Sequence, residues 1–351
     1  MKTVPSRNRP APTRDELLSQ VKLLLDRPDD DVQAALVKEM LSGILRLMDT
    51  QLDLLDLKIV NRALKELRHA FRVFRGYRER AKISVFGSAR TSPDDANYQM
   101  AFTFARRMVE EGYMMITGGA DGIMRAAQEG AGREHSFGVN IMLPFEQGAN
   151  SIIADDPKLV TFKYFFTRKL MFQKESHAIA LFPGGFGTHD EGFEILTLVQ
   201  TGKSDPKPIV CLQAPNCDYW DHWYSFITEQ LLERRLINRE DLSLFKIVRD
   251  VEEAVEEIRT FYTRYHSIRF VGRQLAIRIK KPLSDRQLEH LQGAFQDLLT
   301  EGGFEQRGAL PEEMDEPALK DLSRVVFSFN RRSAGRLRQL IDHLNQLPDA
   351  A

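Results

Sequence analysis

The chain has 351 residues, 42% of them hydrophobic and 28% charged, and a formal net charge of −1 at pH 7. This length predicts more than one domain, with enough apolar residues to form real cores. The near-neutral charge argues against a general nucleic-acid-binding protein, which normally carries a basic surplus.

Cysteine content and apolar runs exclude further classes. The two cysteines, Cys211 and Cys217, are too few for a disulfide framework, and no Cys or His spacing matches a metal site. The first 14 residues are polar and proline-rich, without the apolar segment of a signal peptide. No apolar run approaches the roughly 20 residues that cross a bilayer. We therefore expect a soluble, cytoplasmic protein with no membrane partner.

The N-terminal part is predicted to be helical. Residues 1–13 are expected to form a disordered tail, and residues 14–80 a helical N-terminal extension. Apolar residues recur every four positions at Val32, Leu36 and Met40. Because heptad spacing is not sustained, this pattern favours a helical layer over a coiled-coil arm.

Residues 81–266 alternate short apolar strands with helical stretches, which predicts an α/β fold. The expected architecture is a Rossmann-like parallel sheet with helices on both faces and ligands at the carboxyl ends of the strands. Predicted strands are Ile83–Phe86, Tyr113–Thr117, Phe137–Ile141, Leu159–Phe162, Ala178–Phe182 and Pro208–Leu212. Predicted helices include Asn97–Glu111, Phe165–Glu175, Asp190–Thr201 and Trp220–Leu232.

Three of the strands end in glycine-rich turns, which should lie on the same rim of the sheet. The turns contain Gly87-Ser88, Gly118-Gly119 and Gly184-Gly185. The third belongs to Pro183–Glu191, between a buried strand and a helix. Such a turn leaves backbone N–H groups at a helix N-terminus, where they bind phosphate. A carboxylate one turn further on, Glu191, suggests an enzyme acting on a phosphorylated small molecule.

Residues 270–351 are predicted to form a small α+β module with a regulatory or assembly role. Leu275, Ile277 and Ile279 alternate as in a strand, and Ser284 begins a helix. The strand and helix order suggests a split β-α-β arrangement. Its arginines are interpreted as a solvated helix face, with an anionic effector or partner as the alternative: Arg324, Arg331, Arg332, Arg336 and Arg338.

Two nucleotide-binding classes fit the pattern poorly. A nicotinamide dehydrogenase needs three spaced glycines in the first strand-to-helix turn, and Gly87-Ser88-Ala89-Arg90 lacks them. The P-loop, a glycine run that ends in Lys-Ser or Lys-Thr, is also missing.

The glycine-rich motif resembles the PGGxGTxxE signature of the LOG family, the cytokinin-activating phosphoribohydrolases once described as lysine decarboxylases. The chain resembles the longer bacterial type with N-terminal helices, over about residues 50–265. The similarity is carried by Phe86–Arg90, Thr117–Met124, Glu129–Ala131, Gly138–Ile141, Phe165–Lys169 and Pro183–Glu191.

The resemblance implies a nucleosidase that hydrolyses the N-glycosidic bond of nucleoside 5′-monophosphates such as AMP or N6-modified AMP. It implies Arg168 and Glu191 as the catalytic pair, no metal or redox cofactor, and a homodimer or larger homo-oligomer. A carboxylate near the ribose stabilises an oxocarbenium-like state, by analogy with glycoside hydrolysis. Candidate substrate- and phosphate-binding residues are Ser88, Gly119, Gly185, Gly187 and Thr188. Purely structural roles are the alternatives: turns that need positive φ for the glycines, a helix cap for Ser88, and a structural ion pair for Arg168 with Glu191.

Three residues depart from the family pattern, namely His189, Asp121 and Gly192, which follows the signature glutamate where a larger residue is common. Two other functions stay open. His189 is a weak candidate as proton donor, and Asp121 would repel phosphate unless it faces away. Lys169 is a poor candidate for a pyridoxal-phosphate lysine. Phe165 and its aromatic neighbours suit core or subunit interface better than base stacking. The alternative to the enzyme is a non-catalytic carrier of a phosphorylated cofactor, similar to molybdenum-cofactor carriers. A third hypothesis is a scaffold or regulatory subunit.

Overall fold

The computed structural model describes residues 12–28, 31–143 and 148–349. The predicted disordered tail therefore lies outside the described residues, apart from its last two positions. The chain divides into two compact units, residues 1–64 and 65–351. Within the described part of the chain, no helix is both long and apolar enough to span a membrane. The domain boundaries expected from the sequence stay a prediction.

The first unit is helical, as predicted. It contains α1 (Arg14–Leu25), α2 (Val32–Arg46) and the first part of α3 (Leu54–Arg75). Thr13 forms a capping box with Glu16, in which each residue satisfies a backbone N–H of the other. Local sequence thus sets where these helices begin.

The second unit is built on a seven-stranded parallel sheet, which confirms the predicted fold class. Its order is β4-β3-β2-β1-β5-β6-β7, so the chain winds outward from β1 and then returns to β1's other side. This reversal places a topological switch point between β1 and β5, where open α/β sheets bind ligands. The strands are β1 (Lys82–Phe86), β2 (Met114–Thr117), β3 (Ser136–Ile141), β4 (Leu159–Phe162), β5 (Ala178–Leu181), β6 (Ile209–Leu212) and β7 (Lys246–Val248).

Helices cover both faces of this sheet. Buried residues of α4, α5 and α9 form a core on one face, and those of α3, α6, α7 and α8 form a core on the other. On the second face the ring of Phe74 stacks on that of Phe137, with centroids 4.5 Å apart. These helices are α4 (Ala96–Glu110), α5 (Ile123–Ala131), α6 (Phe165–Glu175), α7 (Phe186–Gln200), α8 (Tyr219–Phe226) and α9 (Val251–Phe261).

Two predicted helix boundaries were wrong. Helix α7 begins at Phe186, four residues before the predicted start, because the N–H groups of Thr188 and His189 already bond to the Gly185 carbonyl. Helix α8 ends at Phe226, and a π-helical segment, Ile227–Leu232, completes the predicted length.

The C-terminal part forms a second, antiparallel sheet of order β10-β11-β9-β8. Strands β9 and β10 follow each other through α10, and both run antiparallel to β11, which lies between them. They are therefore parallel strands separated by a third, which is the predicted split β-α-β arrangement, although its second strand is β10 and not the predicted Arg324–Phe329. The predicted capping box of Ser284 with Gln287 is present. The elements are β8 (Tyr265–Val271), β9 (Gln274–Ile279), α10 (Asp285–Ala294), β10 (Glu305–Arg307), β11 (Ser323–Ser328) and α11 (Ala334–Gln346).

The C-terminal arginines do not form one solvated face. Arg324 is fully buried, and its Nε donates to Glu313 at 3.1 Å. Arg338 is also buried and pairs with Glu257 of α9 and with Asp342. Helix α11 therefore packs against the parallel-sheet part, held by an ion pair to α9.

Candidate active site

A cavity of about 740 Å³ lies beyond the carboxyl ends of β1 and β5, at the topological switch point. Its walls are the loop after β1, the start of α6, and the glycine-rich loop that leads into α7. Six of the seven predicted site residues line it: Ser88, Arg168, Gly185, Gly187, Thr188 and Glu191. Gly119 is not among the described residues that line the cavity.

The glycines of the signature have different structural roles. A Cβ on Gly184 would lie 2.1 Å from Thr188 Oγ1, so Gly184 is required by packing inside the protein. A Cβ on Gly185 or Gly187 would meet nothing within 4 Å, and neither residue has a positive φ. A turn that needs positive φ therefore does not explain these two glycines. They leave backbone accessible at the cavity wall.

The start of α7 presents its N-terminal end to the cavity, where the helix dipole favours an anion. The Thr188 N–H is partly engaged, since it donates to the Gly185 carbonyl at 3.0 Å. Its side chain is 4% exposed and packs on Gly184. Thr188 thus fixes the shape of the loop, which leaves Gly185 and Gly187 as the open part of the cradle.

Glu191 is buried at the cavity edge. Burial raises the pKa of its carboxyl group to about 7, against the opposing attraction of Lys169 and Arg168. The Lys169 ammonium lies 3.9 Å from Glu191 Oε2 and also contacts Asp190 at 2.9 Å and Glu194 at 2.7 Å. A carboxyl group with a pKa near neutrality can exchange a proton at physiological pH, which is the property of a general acid or base.

Arg168 lies on the first turn of α6, where its orientation is fixed by several contacts. Its Nε donates to the Val139 carbonyl at 3.0 Å, and its guanidinium carbon lies 5.2 Å from the Phe172 ring centre. A Cβ on Gly118 would come within 3.0 Å of Arg168 Nη2. The turn after β2 therefore makes room for the guanidinium, which remains part of the cavity wall.

Glu66 of α3 anchors the start of α6. Its carboxylate, 5% exposed, accepts from the Lys163 N–H and from Thr167 Oγ1, both at 2.7 Å. A buried carboxylate at a helix N-terminus also interacts favourably with the helix dipole. Glu66 thereby positions the turn that carries Arg168.

Ser88 lines the cavity from the loop after β1. Its Oγ accepts from the Arg90 N–H at 3.1 Å, so it stabilises a local turn and does not cap a helix; Asp95 caps α4. A Cβ on Gly122 would lie 2.2 Å from the Ser88 carbonyl oxygen, and Gly122 has φ +63°. The loops after β1 and β2 therefore pack backbone against backbone.

Gly119 and Asp121 lie away from the cavity in the loop after β2. Gly119 has φ +77°, and its carbonyl accepts from the Asn150 N–H at 2.8 Å, so its role is conformational. Asp121 is 58% exposed and lies 3.9 Å from Arg125. Asp121 is not among the described residues that line the cavity.

His189 lines the cavity and also belongs to a hydrogen-bonded chain with Tyr219 and the Gly184 carbonyl. The Tyr219 hydroxyl donates to the Gly184 carbonyl at 2.5 Å and contacts His189 Nε2 at 2.6 Å. Because the hydroxyl has only one proton to donate, Nε2 must carry the proton of the imidazole. Burial lowers the pKa of His189, which favours the neutral ring. Tyr219 and His189 thus brace the Gly184 peptide.

Sequence reasoning missed Glu66, Tyr219 and the positioning role of Lys169. Glu66 and Tyr219 lie far from the signature in sequence, and no local pattern connects them to it. Lys169 could have been found, because it lies beside Arg168 in a helix whose partner helix carries three nearby acids. No group of three or more His, Cys, Asp or Glu side chains in the described ranges is arranged to hold a metal ion.

Residues 120–258 match the family described as "Possible lysine decarboxylase". No curated protein matches the chain. Among the solved structures that are similar to it, three cover about half of this chain. They are the Moco carrier protein from Chlamydomonas reinhardtii (21% identity, TM-score 0.36, 51% of this chain and 96% of that one), the molybdenum cofactor binding protein from Rippkaea orientalis (19%, 0.36, 52% and 96%) and DNA processing protein A from Helicobacter pylori (18%, 0.35, 51% and 80%).

Proposed function

Because residues 120–258 form a domain of the LOG family, the "possible lysine decarboxylase" family, we propose that the protein is a nucleoside 5′-monophosphate nucleosidase. It would hydrolyse the N-glycosidic bond of AMP or an N6-modified purine nucleotide to free base and ribose 5-phosphate. The observation that carries this proposal is a buried carboxyl group of raised pKa, Glu191, in the same cavity as an open glycine cradle.

The cradle supports recognition of the 5′-phosphate. Gly185 and Gly187 present backbone at the N-terminal end of α7 without a side chain in the way. Phosphate binds such helix ends through backbone N–H groups and the helix dipole, the latter worth about 0.3–2 kcal/mol. The cavity volume of about 740 Å³ is within the range of small-molecule sites.

Glu191 is suited to the chemistry at the ribose. In the proposed step the bond between C1′ and the base nitrogen breaks, and the electron pair leaves with the base. The ionised carboxylate stabilises the positive charge that develops on the ribose, then accepts a proton from the water that adds to C1′. Glu191 then passes this proton to the departing base, so the overall reaction consumes one water.

Arg168 would hold the substrate in place. Its guanidinium is fixed by the Val139 carbonyl and the Phe172 ring while still lining the cavity. A planar, permanently charged group in a fixed orientation suits phosphate or ribose hydroxyls. Phe165, 48% exposed at the cavity wall, offers an apolar surface for the base.

A decarboxylase that works through Lys169 fits the site less well. Such an enzyme needs an unprotonated amine to form an adduct with an aldehyde. Burial lowers the pKa of Lys169, but its bonds to Glu194 and Asp190 outweigh that effect, and the net shift is upward. The amine is therefore held protonated between carboxylates.

We further propose that the protein acts as a homodimer or larger homo-oligomer. Phe186, at the centre of the signature loop, is 95% exposed, and Phe166 on α6 is 56% exposed. Two large exposed aromatic side chains, of which Phe186 lines the cavity, are suited to contact with a second copy, since aromatic residues are enriched in interfaces.

The test is to incubate the purified protein with a panel of nucleoside monophosphates and measure free base by chromatography. AMP should be cleaved far better than adenosine, and Glu191→Gln should lower kcat at least ~10²-fold while nucleotide still binds. Tight nucleotide binding with no release of base would instead favour the non-catalytic carrier. Equal kcat/KM for AMP and adenosine would contradict the phosphate cradle.

A further inference from the structure

A second cavity, of about 670 Å³, lies between the parallel-sheet part and the C-terminal sheet. One wall comes from the end of α6 and the segment from Lys203 to Lys207. The other comes from the segment Tyr262–Ser267 and from Lys280 at the end of β9. Its lining residues differ entirely from those of the candidate active site. The proposed nucleosidase reaction uses none of them.

The described residues that line this cavity carry a strong positive bias. The lining contains a single acidic residue, Asp205, and four lysines: Lys174, Lys203, Lys207 and Lys280. Lys174 is partly neutralised by Glu175, 2.5 Å away. Lys203 and Lys280 are exposed. The Lys280 ammonium group donates to the Tyr262 carbonyl at 2.5 Å, and burial lowers the pKa of Lys280.

Lys207 is buried in the cavity wall, where it is 8% exposed. Its Nζ donates to the Gln173 and Ser176 carbonyls at 2.9 and 2.8 Å, which leaves one N–H for another acceptor. Burial lowers its pKa to about 8. The attraction of Asp205 opposes this lowering only in part. A buried cation whose hydrogen bonds go to neutral carbonyls is incompletely compensated, and a further anion beside it would restore the balance.

Two buried polar atoms in this wall have no partner in the described part of the chain: the Tyr265 hydroxyl and Gln173 Nε2. Tyr265 is 1% exposed. Buried polar atoms in native proteins nearly always have a hydrogen-bond partner, so these two donors are suited to bind a polar group in the cavity. His177 adds a donor, because its Nδ1 accepts from the Lys82 N–H at 3.2 Å and its proton therefore lies on Nε2.

From this combination of exposed lysines, a buried lysine and unpaired donors in one cavity, we propose that the site binds a small phosphorylated anion. The lysine ammonium groups supply point charges suited to phosphate oxygens. The tyrosines Tyr113, Tyr262 and Tyr265 provide the apolar part of the wall. The occupant bridges the two sheets, since Lys203 and Lys207 approach it from one side and Lys280 from the other.

The experiment titrates the full-length protein with inorganic pyrophosphate by isothermal calorimetry. A Gly187→Ala background keeps the probe from the signature cradle. The double variant Lys203→Gln/Lys280→Gln should weaken binding at least tenfold. Lys281→Gln is the matched control, because Lys281 follows Lys280 in sequence but pairs with Asp349 at 2.8 Å. Lys281→Gln should change the Kd less than twofold.

Citrate, matched in charge, separates phosphate from other polyanions. Tighter binding of pyrophosphate than of citrate supports a phosphate site, and equal or tighter binding of citrate overturns it. Absence of pyrophosphate binding, or equal binding by the double variant, would overturn the site itself. Since the readout is binding, these outcomes do not depend on nucleosidase activity.

Discussion

The environment of Glu191 leads to a pH profile whose direction can be tested. If the ionised carboxylate carries out the reaction, kcat/KM should rise with pH through about 7, where the carboxyl group loses its proton. Lys169→Met removes an attractive charge 3.9 Å away, so the rising limb should move to higher pH. Glu194→Gln removes a repelling charge, so the limb should move to lower pH. The measurement is kcat/KM for AMP between pH 5 and 9.

The pair Lys169→Met and Glu194→Gln serves as its own control. Both variants break the same ion pair, the contact of 2.7 Å between Lys169 and Glu194, so a merely structural effect would move both profiles alike. Shifts in the same direction would show that Glu191 is not the titrating group.

The same pKa shift predicts how stability depends on pH. The pKa of Glu191 is raised from 4.5 to about 7 on folding, so the folded protein binds more protons between these values. Stability should therefore fall as pH rises from 4.5 to 7, by up to about 3 kcal/mol from this residue. Glu191→Gln cannot lose a proton and should gain stability relative to wild type at pH 8. Urea unfolding at pH 5 and pH 8 measures the difference, and an equal effect of the substitution at both pH values would contradict it.

The open glycines of the cradle predict a substitution that affects binding but not folding. Gly187 lies in the first turn of α7, and a Cβ there meets nothing within 4 Å. Gly187→Ala should leave stability unchanged or raise it by up to about 1 kcal/mol through helix propensity. It should raise KM for AMP at least tenfold, because the methyl group occupies the anion's place.

Gly293 in α10 is the matched control for Gly187. It is also a helical glycine with nothing within 4 Å of a Cβ, and it lies in the C-terminal sheet region. Gly293→Ala should give a comparable change in stability with KM unchanged. An unchanged KM in Gly187→Ala as well would exclude close approach of the phosphate at this position.

At the level of whole elements, one glycine controls the packing of α4 against α5. A Cβ on Gly130 would lie 2.0 Å from the Phe102 carbonyl oxygen, so the two helices touch there backbone to backbone. Gly130→Ala should destabilise the protein by about 1–3 kcal/mol, the usual cost of overpacking. Chemical denaturation measures the change, with Gly293→Ala as the reference for helix propensity. A neutral or stabilising Gly130→Ala would show that the helices separate freely.

Six of the seven parallel strands were predicted from the sequence, because each is a short and mostly apolar run, as expected in a sheet that is covered on both faces. Strand β7 was missed, since three residues at the sheet edge carry no periodicity. Strand β8 was missed because residues 266–269 are half-buried and mix polar with apolar side chains. The early start of α7 depends on bonds to the Gly185 carbonyl, which a glycine-rich sequence does not reveal.

The features of the candidate site also divide into those that the sequence predicted and those that it did not. The signature, Arg168 and Ser88 converge because parallel strands end on one rim, which the alternating pattern predicts. Gly119 follows the same rule but turns away, because its carbonyl bonds to Asn150 about 30 residues later. Partners at such distances along the chain, including Glu66 for α6, leave no local trace in the sequence.

For the molecule as a whole, the exposed aromatic side chains of Phe186 and Phe166 predict an oligomer. Phe186, 95% exposed, should lie in the contact between copies, so Phe186→Asp should shift the protein to a smaller species. Sedimentation velocity measures this shift. Met314, 82% exposed in the C-terminal part, is the control, and Met314→Asp should leave the assembly unchanged. A wild-type protein that sediments as a monomer at all concentrations would contradict the expectation.

Helix α6 has one end at each cavity. Arg168 of its first turn lines the candidate active site, whereas Gln173 and Lys174 near its end line the lysine-rich cavity. Its eleven residues span only about 16 Å, so a ligand that shifted one end of α6 as a rigid body would also shift the other end. Two ligands that favour the same position of α6 would strengthen each other's binding, and two that favour different positions would weaken it. The factor by which the affinity changes is the same whichever ligand binds first. The affinity for the substrate would then depend on the concentration of the ligand in the second cavity, and α6 would couple the two sites.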